Sequence, residues 1–266
     1  MENNAPSTTT IVLKFGGASL ATPTHIKEVA TLIQRKRMEG SRIVVVTSAM
    51  GKTTDNLLEL AHDVSDNPVK RELDMLVSVG ERVSMSLLAM ALYDLGIEAR
   101  SFTGSQAGII TSERHQDAQI LDVKPRRLEA ELAKGCVVIV AGFQGVSGGE
   151  ITTLGRSGSD TSAVALGIAL GATRVEFYKD VSGVFCSDPK RNPSAVLHNT
   201  LTFDRALSLA NGDFVLQKRA LLLAKKNGMK LVVKGFDQGG AGTEISDQSL
   251  PKKSGIEYED LVHVGL

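Results

Sequence analysis

The chain has 266 residues, 42% hydrophobic and 23% charged, the composition of a globular protein large enough to bury a sizeable core in one α/β domain. Thirty lysines and arginines balance thirty aspartates and glutamates, so nothing in the overall charge calls for nucleic acid or an anionic membrane, and an anionic ligand must be held by local groups. The two cysteines, Cys136 and Cys186, are too few for a disulfide framework and read as free thiols of a reducing compartment.

Residues 1–9 are polar and lack both the basic end and the apolar stretch of a secretory signal. They are expected to be a flexible N-terminus. No uninterrupted apolar run approaches the ~20 residues of a membrane span, so the expectation is a soluble, cytoplasmic protein. Nearly continuous β-branched runs at 10–15, 42–48, 136–143, 174–178 and 230–236 predict strands buried on both faces of a mostly parallel sheet. Helical spacing fills 24–40, 55–64, 69–96, 124–135, 159–171 and 203–228. Gly40, Gly96, Gly135, Gly171 and Gly228 stand where such helices should stop. Strand and helix alternate, which predicts a three-layer α/β/α sandwich with a mainly parallel central sheet over residues 10–246. Segment 180–199 interrupts the alternation with glycine, two prolines and asparagine, and reads as a long loop of the kind that often carries function.

Ligands of open parallel sheets bind at the carboxyl ends of strands, so the glycine-rich turns there are the places to search. In "KFGGAS", Gly16 and Gly17 let the backbone come close to a phosphate, and Lys14 adds a full positive charge. A tight strand-to-helix turn with a solvent-facing lysine accounts for the same residues equally well. The spacings of a P-loop and of a dinucleotide fingerprint are both absent. In "TTLGRSGSDTSAVALG" (152–167) a glycine and serine loop opens onto a helix whose N-terminus attracts anions. Ser159 or Asp160 serves there as a plain helix cap in the simpler reading, but a cap does not require Arg156, whose guanidinium suits a substrate carboxylate. In "YKDVSGVFCSDPK" (178–190) a strand ends in Lys179 and Asp180 before the long loop, which alone is unspecific.

Together the three stretches resemble the aspartate kinases of the amino acid kinase family, whose motifs read K-F-G-G-[TS]-S, T-T-L-G-R-G-G-S-D and Y-[TS]-D-V-D-G-V-Y-T-A-D-P-R. Further similar stretches are "VVVTSAMGKTTDNLLELA", "GERVSMSLLAMAL", "SFTGSQAGIITSERH" and "VAGFQGV", so the resemblance runs from about residue 10 to about residue 245. It implies transfer of the ATP γ-phosphoryl group to the β-carboxylate of L-aspartate, giving 4-phospho-L-aspartate, the first step of lysine, threonine and methionine (diaminopimelate) biosynthesis. By position, Lys14, Gly16 and Gly17 would hold the phosphates with Ser48 nearby, and Asp160 would orient Lys14. Glu81, Thr54, Arg156, Ser159 and Ser48 would hold aspartate. Lys179, Asp180, Phe185 and Lys190 would line the adenine and ribose end of ATP. The five histidines form no metal-ligand spacing, no protein metal site is assigned, and magnesium would arrive with ATP. The resemblance also implies a homodimer. The apolar stretch 84–92 reads as core or as a dimer face.

The chemistry fits this division of labour. A carboxylate nucleophile, with a reference pKa of about 3.9, is already ionised at neutral pH and needs no general base, so positioning and charge neutralisation are the tasks left. Four departures from the family pattern stand near the site. Ser157 replaces a usual glycine, Lys179 a usual Thr or Ser and Phe185 a usual Tyr, and Phe214 takes the place where many members carry a lysine that reaches ATP. Lys179, Lys218 or Lys234 are the candidates to supply that charge. Residues 247–266 resemble the linker and first strand of an ACT regulatory domain without its remainder, as expected of a naturally short form or a truncated chain. Alternative readings are an amino acid kinase with another acceptor and a non-catalytic, nucleotide-binding subunit.

Overall fold

The predicted first strand is β1 (Thr10–Phe15), buried along its whole length. A 3-10 turn (Ala18–Leu20) leads to α1 (Pro23–Met38), which starts where the Thr22 side chain accepts from the His25 amide and proline occupies the first turn. There follow β2 (Arg42–Thr47), α2 (Thr53–Val64), α3 (Lys70–Val77), α4 (Val79–Asp94), β3 (Ala99–Phe102), β4 (Ile109–Thr111) and β5 (Ile120–Val123). Next come α5 (Arg126–Ala133), β6 (Val137–Ala141), β7 (Gln144–Ser147), β8 (Glu150–Thr153), α6 (Gly158–Ala169) and β9 (Arg174–Lys179). The remaining elements are β10 (Thr200–Leu201), α7 (Phe203–Leu209), α8 (Lys218–Asn227), β11 (Leu231–Gly235) and β12 (Thr243–Ile245). The structure, a computed structural model, describes residues 9–187, 192, 194–210, 215–236, 240–247 and 255–260.

The main sheet has eight strands in the order β10-β12-β11-β9-β1-β2-β6-β3, and its pairings are parallel except that between β11 and β12. Alternate residues of the buried strands feed two cores. Ile11, Leu13, Ile43, Val45 and Ile139 pack with Ile26, Val29 and Ile33 of α1 and Leu88 and Leu92 of α4. Val12, Val44, Val46, Val138 and Phe177 pack with α6, with Leu128 of α5, Phe203 of α7 and Leu221 of α8. The result is the expected three-layer sandwich. The five glycines expected to end helices all have positive φ, and Gly228 (63°) is itself the C-cap of α8.

Several features depart from the sequence reading: β3, β10 and β12 join the five expected strands in the main sheet, and the expected helix 203–228 is α7 and α8, with 215–217 outside either. A second sheet of four short strands, in the order β5-β4-β7-β8, stands beside the first. Its strands are only three or four residues long and carry no apolar run, so they give no signal of their own. The helical stretch 69–96 is also two helices, α3 and α4, meeting at Ser78. Lys70–Asp94 is long and apolar enough to cross a membrane by length and composition, but half of its most apolar window is buried inside the fold. The predicted C-terminal strand is not seen among the described residues. Instead, 255–260 lie irregularly against α8 and β5, where Glu259 N–H donates to the Ile120 carbonyl at 3.1 Å.

Candidate active site

Parallel pairing puts Lys14 beside Phe177 and Phe15 beside Tyr178, so β1 and β9 end together at the carboxyl edge of the sheet. Period-two alternation sends Lys14 and Lys179 to the α6 side of that edge. There the first turn of α6 presents Asp160, with Lys14 Nζ 2.7 Å from Oδ1 and Lys179 Nζ 3.0 Å from Oδ2. Lys14 and Asp160 are almost fully buried. Burial drives the Lys14 pKa down to about 8, against the pull of Asp160, and the nearby Lys179 charge lowers it further. Burial also works against the Asp160 carboxylate, but the two ammonium groups outweigh it and hold its pKa below the usual value.

The glycines after β1 separate into two functions. A Cβ on Gly17 would lie 2.9 Å from the Ala49 carbonyl oxygen, so this residue must be glycine for the β1 turn to dock against the loop after β2. Gly16 is more open. Its Cβ would stand 3.9 Å from Lys14 Nζ, beside the charge that a phosphate would meet.

Next to this edge is a cleft of about 430 Å³, lined among others by Gly17, Ser48, Thr54, Glu81, Arg156 and Ser159. All five residues expected to hold the acceptor therefore come together, although they lie on three separate stretches of chain. Glu81 is buried on α4, and its Oε1 accepts the Ala49 amide at 3.2 Å while Oε2 has no hydrogen-bond partner among the described residues. Burial pushes its pKa up to about 7, partly offset by backbone hydrogen bonds and by Lys14. Arg156, which also lines the cleft, is exposed and forms no ion pair among the described residues. The cleft thus offers an unpartnered carboxylate oxygen and an unpaired guanidinium, a fit for a molecule carrying both an ammonium and a carboxylate.

The loop before α6 is held in an uncommon shape. Among the described residues, three non-glycine residues have positive φ, Gln116 (70°), Phe143 (67°) and Ser157 (57°), and all three line this cleft. Ser157 therefore sits where the usual glycine would be unstrained.

Of the residues expected at the far end of a nucleotide, Lys179 stands on Asp160, next to Lys14. Asp180 is exposed just beyond it, and Phe185 is half-buried and bridged to Leu197 across the base of the long loop. Lys190 and Phe214 lie outside the described residues. Of the three lysines named as substitutes for a charge at position 214, Lys179 is the one at Asp160, Lys234 is 3.4 Å from Glu176 on the other face of the sheet, and Lys218 is exposed at the start of α8.

Sequence reasoning missed Asp74. This fully buried carboxylate on α3 accepts from the Thr153 amide (3.1 Å) and hydroxyl, from the Gln116 amide (3.2 Å) and side chain (2.6 Å), and meets His115 Nδ1 at 2.6 Å. It thereby ties the end of β8 to the cleft-lining Gln116. One acidic residue in an amphipathic helix looks like any solvated one, so the sequence carried no signal.

The sequence pattern of the amino acid kinase family matches residues 9–235. An aspartokinase of Geobacillus stearothermophilus is 46% identical over 258 residues, which cover 95% of this chain and 63% of that protein. The chain thus spans less than two thirds of the length of this curated relative. Among solved structures, aspartate kinase from Synechocystis superposes with a TM-score of 0.82 at 45% identity, covering 91% of this chain and 41% of the other. Aspartokinase III of E. coli, solved in complex with aspartate and ADP, gives a TM-score of 0.81 at 25% identity over 91% of this chain and 65% of the other.

Proposed function

The chain belongs to the amino acid kinase family, and on that premise we propose that it is an aspartate kinase, transferring the γ-phosphoryl group of ATP to the β-carboxylate of L-aspartate. The observation that carries the reading is the adjacency of two lysines sharing Asp160 and a cleft that offers Glu81 to an ammonium and Arg156 to a carboxylate. The E. coli relative bound to aspartate and ADP supports the choice of substrates.

In this reading Arg156 and Ser159 hold the α-carboxylate and Glu81 the ammonium, with Ser48 and Thr54 completing the wall, which turns the β-carboxylate toward the glycines after β1. Gly16, Gly17 and Lys14 hold the phosphates of ATP, and the nucleotide extends past Asp180 and Phe185 toward Lys190. An aspartate β-oxygen attacks the γ-phosphorus as the bond to the ADP oxygen breaks, and ADP leaves. No proton moves, so no general base is required. Lys14 and Lys179, fixed by Asp160, stabilise the negative charge on the transferring group. Magnesium is counted with the nucleotide substrate, because both Asp160 oxygens are already taken by ammonium groups.

The test is trapping of the acyl phosphate as its hydroxamate. Turnover with MgATP and L-aspartate that is lost in Lys14→Ala supports the reading. Turnover with acetylglutamate, glutamate, carbamate or UMP instead reassigns the acceptor, and nucleotide binding without turnover on any acceptor makes the chain a non-catalytic subunit.

We further propose a homodimer, a cytoplasmic location and a place at the head of lysine, threonine and methionine synthesis. Cys136 and Cys186 as free thiols support the location. The dimer is supported by α4, which buries Met85, Leu88 and Leu92 on one side yet leaves Val79, Val83, Leu87 and Met90 exposed along another. Light scattering on the pure protein decides between monomer and dimer.

A further inference from the structure

Arg219, on the first turn of α8, uses all five of its N–H donors. Nε and one Nη2 hydrogen hold the Glu259 carboxylate in fork geometry at 2.8 and 2.9 Å. The other Nη2 hydrogen meets the Ala118 carbonyl at 2.8 Å, while Nη1 reaches the Leu154 carbonyl at 2.6 Å and Asp117 Oδ1 at 3.5 Å. Glu259 in turn accepts the Ile120 amide at 2.8 Å. The segment bearing Glu259 is fixed to α8 independently, through a two-way hydrogen bond between Asn227 and the Glu257 backbone (2.7 and 3.0 Å) and a bond from Lys226 Nζ to the Tyr258 carbonyl.

Leu154 is the last buried residue before the loop that carries Gly155, Arg156 and Ser157 into the cleft. Its carbonyl is therefore the fixed end from which that loop is hung. A guanidinium left without Glu259 would keep its charge but lose the fork that sets its plane, and with it the aim of Nη1.

We propose that Arg219 and Glu259 are positioning residues for the acceptor loop, so that the segment 255–260, remote from the reacting atoms in sequence, sets the affinity for the acceptor amino acid. The proposal rests on the aspartate kinase reading for the identity of that acceptor, though not for the movement of the loop.

The experiment is Glu259→Gln in the full chain, with Lys226→Met as a control that loosens the same segment without touching Arg219. Steady-state kinetics and hydrogen exchange of residues 154–159 are measured together. The expected result is a rise of about tenfold in KM for aspartate, kcat and KM for ATP within about twofold of the parent, and faster exchange at 154–159, none of which Lys226→Met reproduces. Arg219→Lys, which keeps the charge and loses the fork, should behave as Glu259→Gln does. A lowered melting temperature with KM and loop exchange unchanged overturns the proposal, as does an equal effect from Lys226→Met. If Glu259→Gln does not fold, Glu259→Asp is read by the same criteria. Should the parent not phosphorylate aspartate while Glu259→Gln still speeds exchange at 154–159, the acceptor assignment fails and the coupling stands.

Discussion

Lys14 and Lys179, on neighbouring parallel strands, grip opposite oxygens of the single carboxylate of Asp160, at 2.7 and 3.0 Å. Two buried ammonium groups this close would repel each other without that carboxylate. Asp160 therefore holds the two ammonium groups side by side at the end of the sheet, and the trio keeps a net charge of about +1 when both lysines are protonated.

From this arrangement Lys14→Ala and Lys179→Ala should each lower kcat by about 10²- to 10³-fold, the usual loss for one donor aimed at transition-state charge. Lys234→Ala, which removes one of three partners of Glu176 beside Arg174 and Tyr178, should leave kcat within about threefold. Hydroxamate assays at saturating substrates check all three. A near-normal Lys179→Ala enzyme would show that the second charge comes from elsewhere.

The pH profile of kcat/KM follows from the two buried groups. Below about 7, Glu81 takes up a proton because burial raises its pKa, and it no longer attracts an ammonium. Above about 8, Lys14 loses its proton because burial lowers its pKa, and the phosphates lose a positive partner. The expected curve is a narrow bell between those limbs. Glu81→Gln should remove the acid limb and raise KM for aspartate by about 10- to 100-fold, the loss of a hydrogen bond to a charged group.

Ser157 holds φ 57° and ψ 22° at the N-cap of α6 without a side-chain capping bond. Replacing it with glycine should stabilise the fold by about 0.5–1 kcal/mol, since a left-handed residue with a Cβ carries a cost that glycine does not. Urea denaturation of Ser157→Gly against the parent measures the difference.

Asp74→Ala should destabilise by about 3–5 kcal/mol, because it strands several buried donors at once. Asp74→Asn keeps an acceptor for Thr153 and should cost less than half as much. Thermal melts rank the two, and the aspartate KM of Asp74→Asn reports whether Gln116 has shifted.

The sandwich and its carboxyl edge were legible because five apolar runs alternate with helical spacing, the pattern of α/β folds with a parallel sheet. Lys14, Glu81, Arg156 and Ser159 were legible too, each beside glycines or within a resembling motif. Three things were hidden. The second sheet is built from strands too short to show a period. The sharing of Asp160 by Lys14 and Lys179 depends on which strands are neighbours, and β1 and β9 lie more than 150 residues apart in the chain. Asp74 and Arg219 gain their meaning from backbone groups that no residue pattern reveals, and the sequence departure at Phe214 lies outside the described residues.

If Glu81 receives the acceptor's ammonium as proposed, its oxygen without a partner among the described residues also sets what the cleft turns away. On the aspartate kinase reading, succinate matches aspartate in both carboxylates and lacks only the amino group, so its entry would leave this oxygen, already shielded from water, with nothing to meet it. Sites built around such a vacancy discriminate by about 10⁴-fold or more. The refusal of the wrong guest is thus written in the protein's own unmet need, with no steric barrier required.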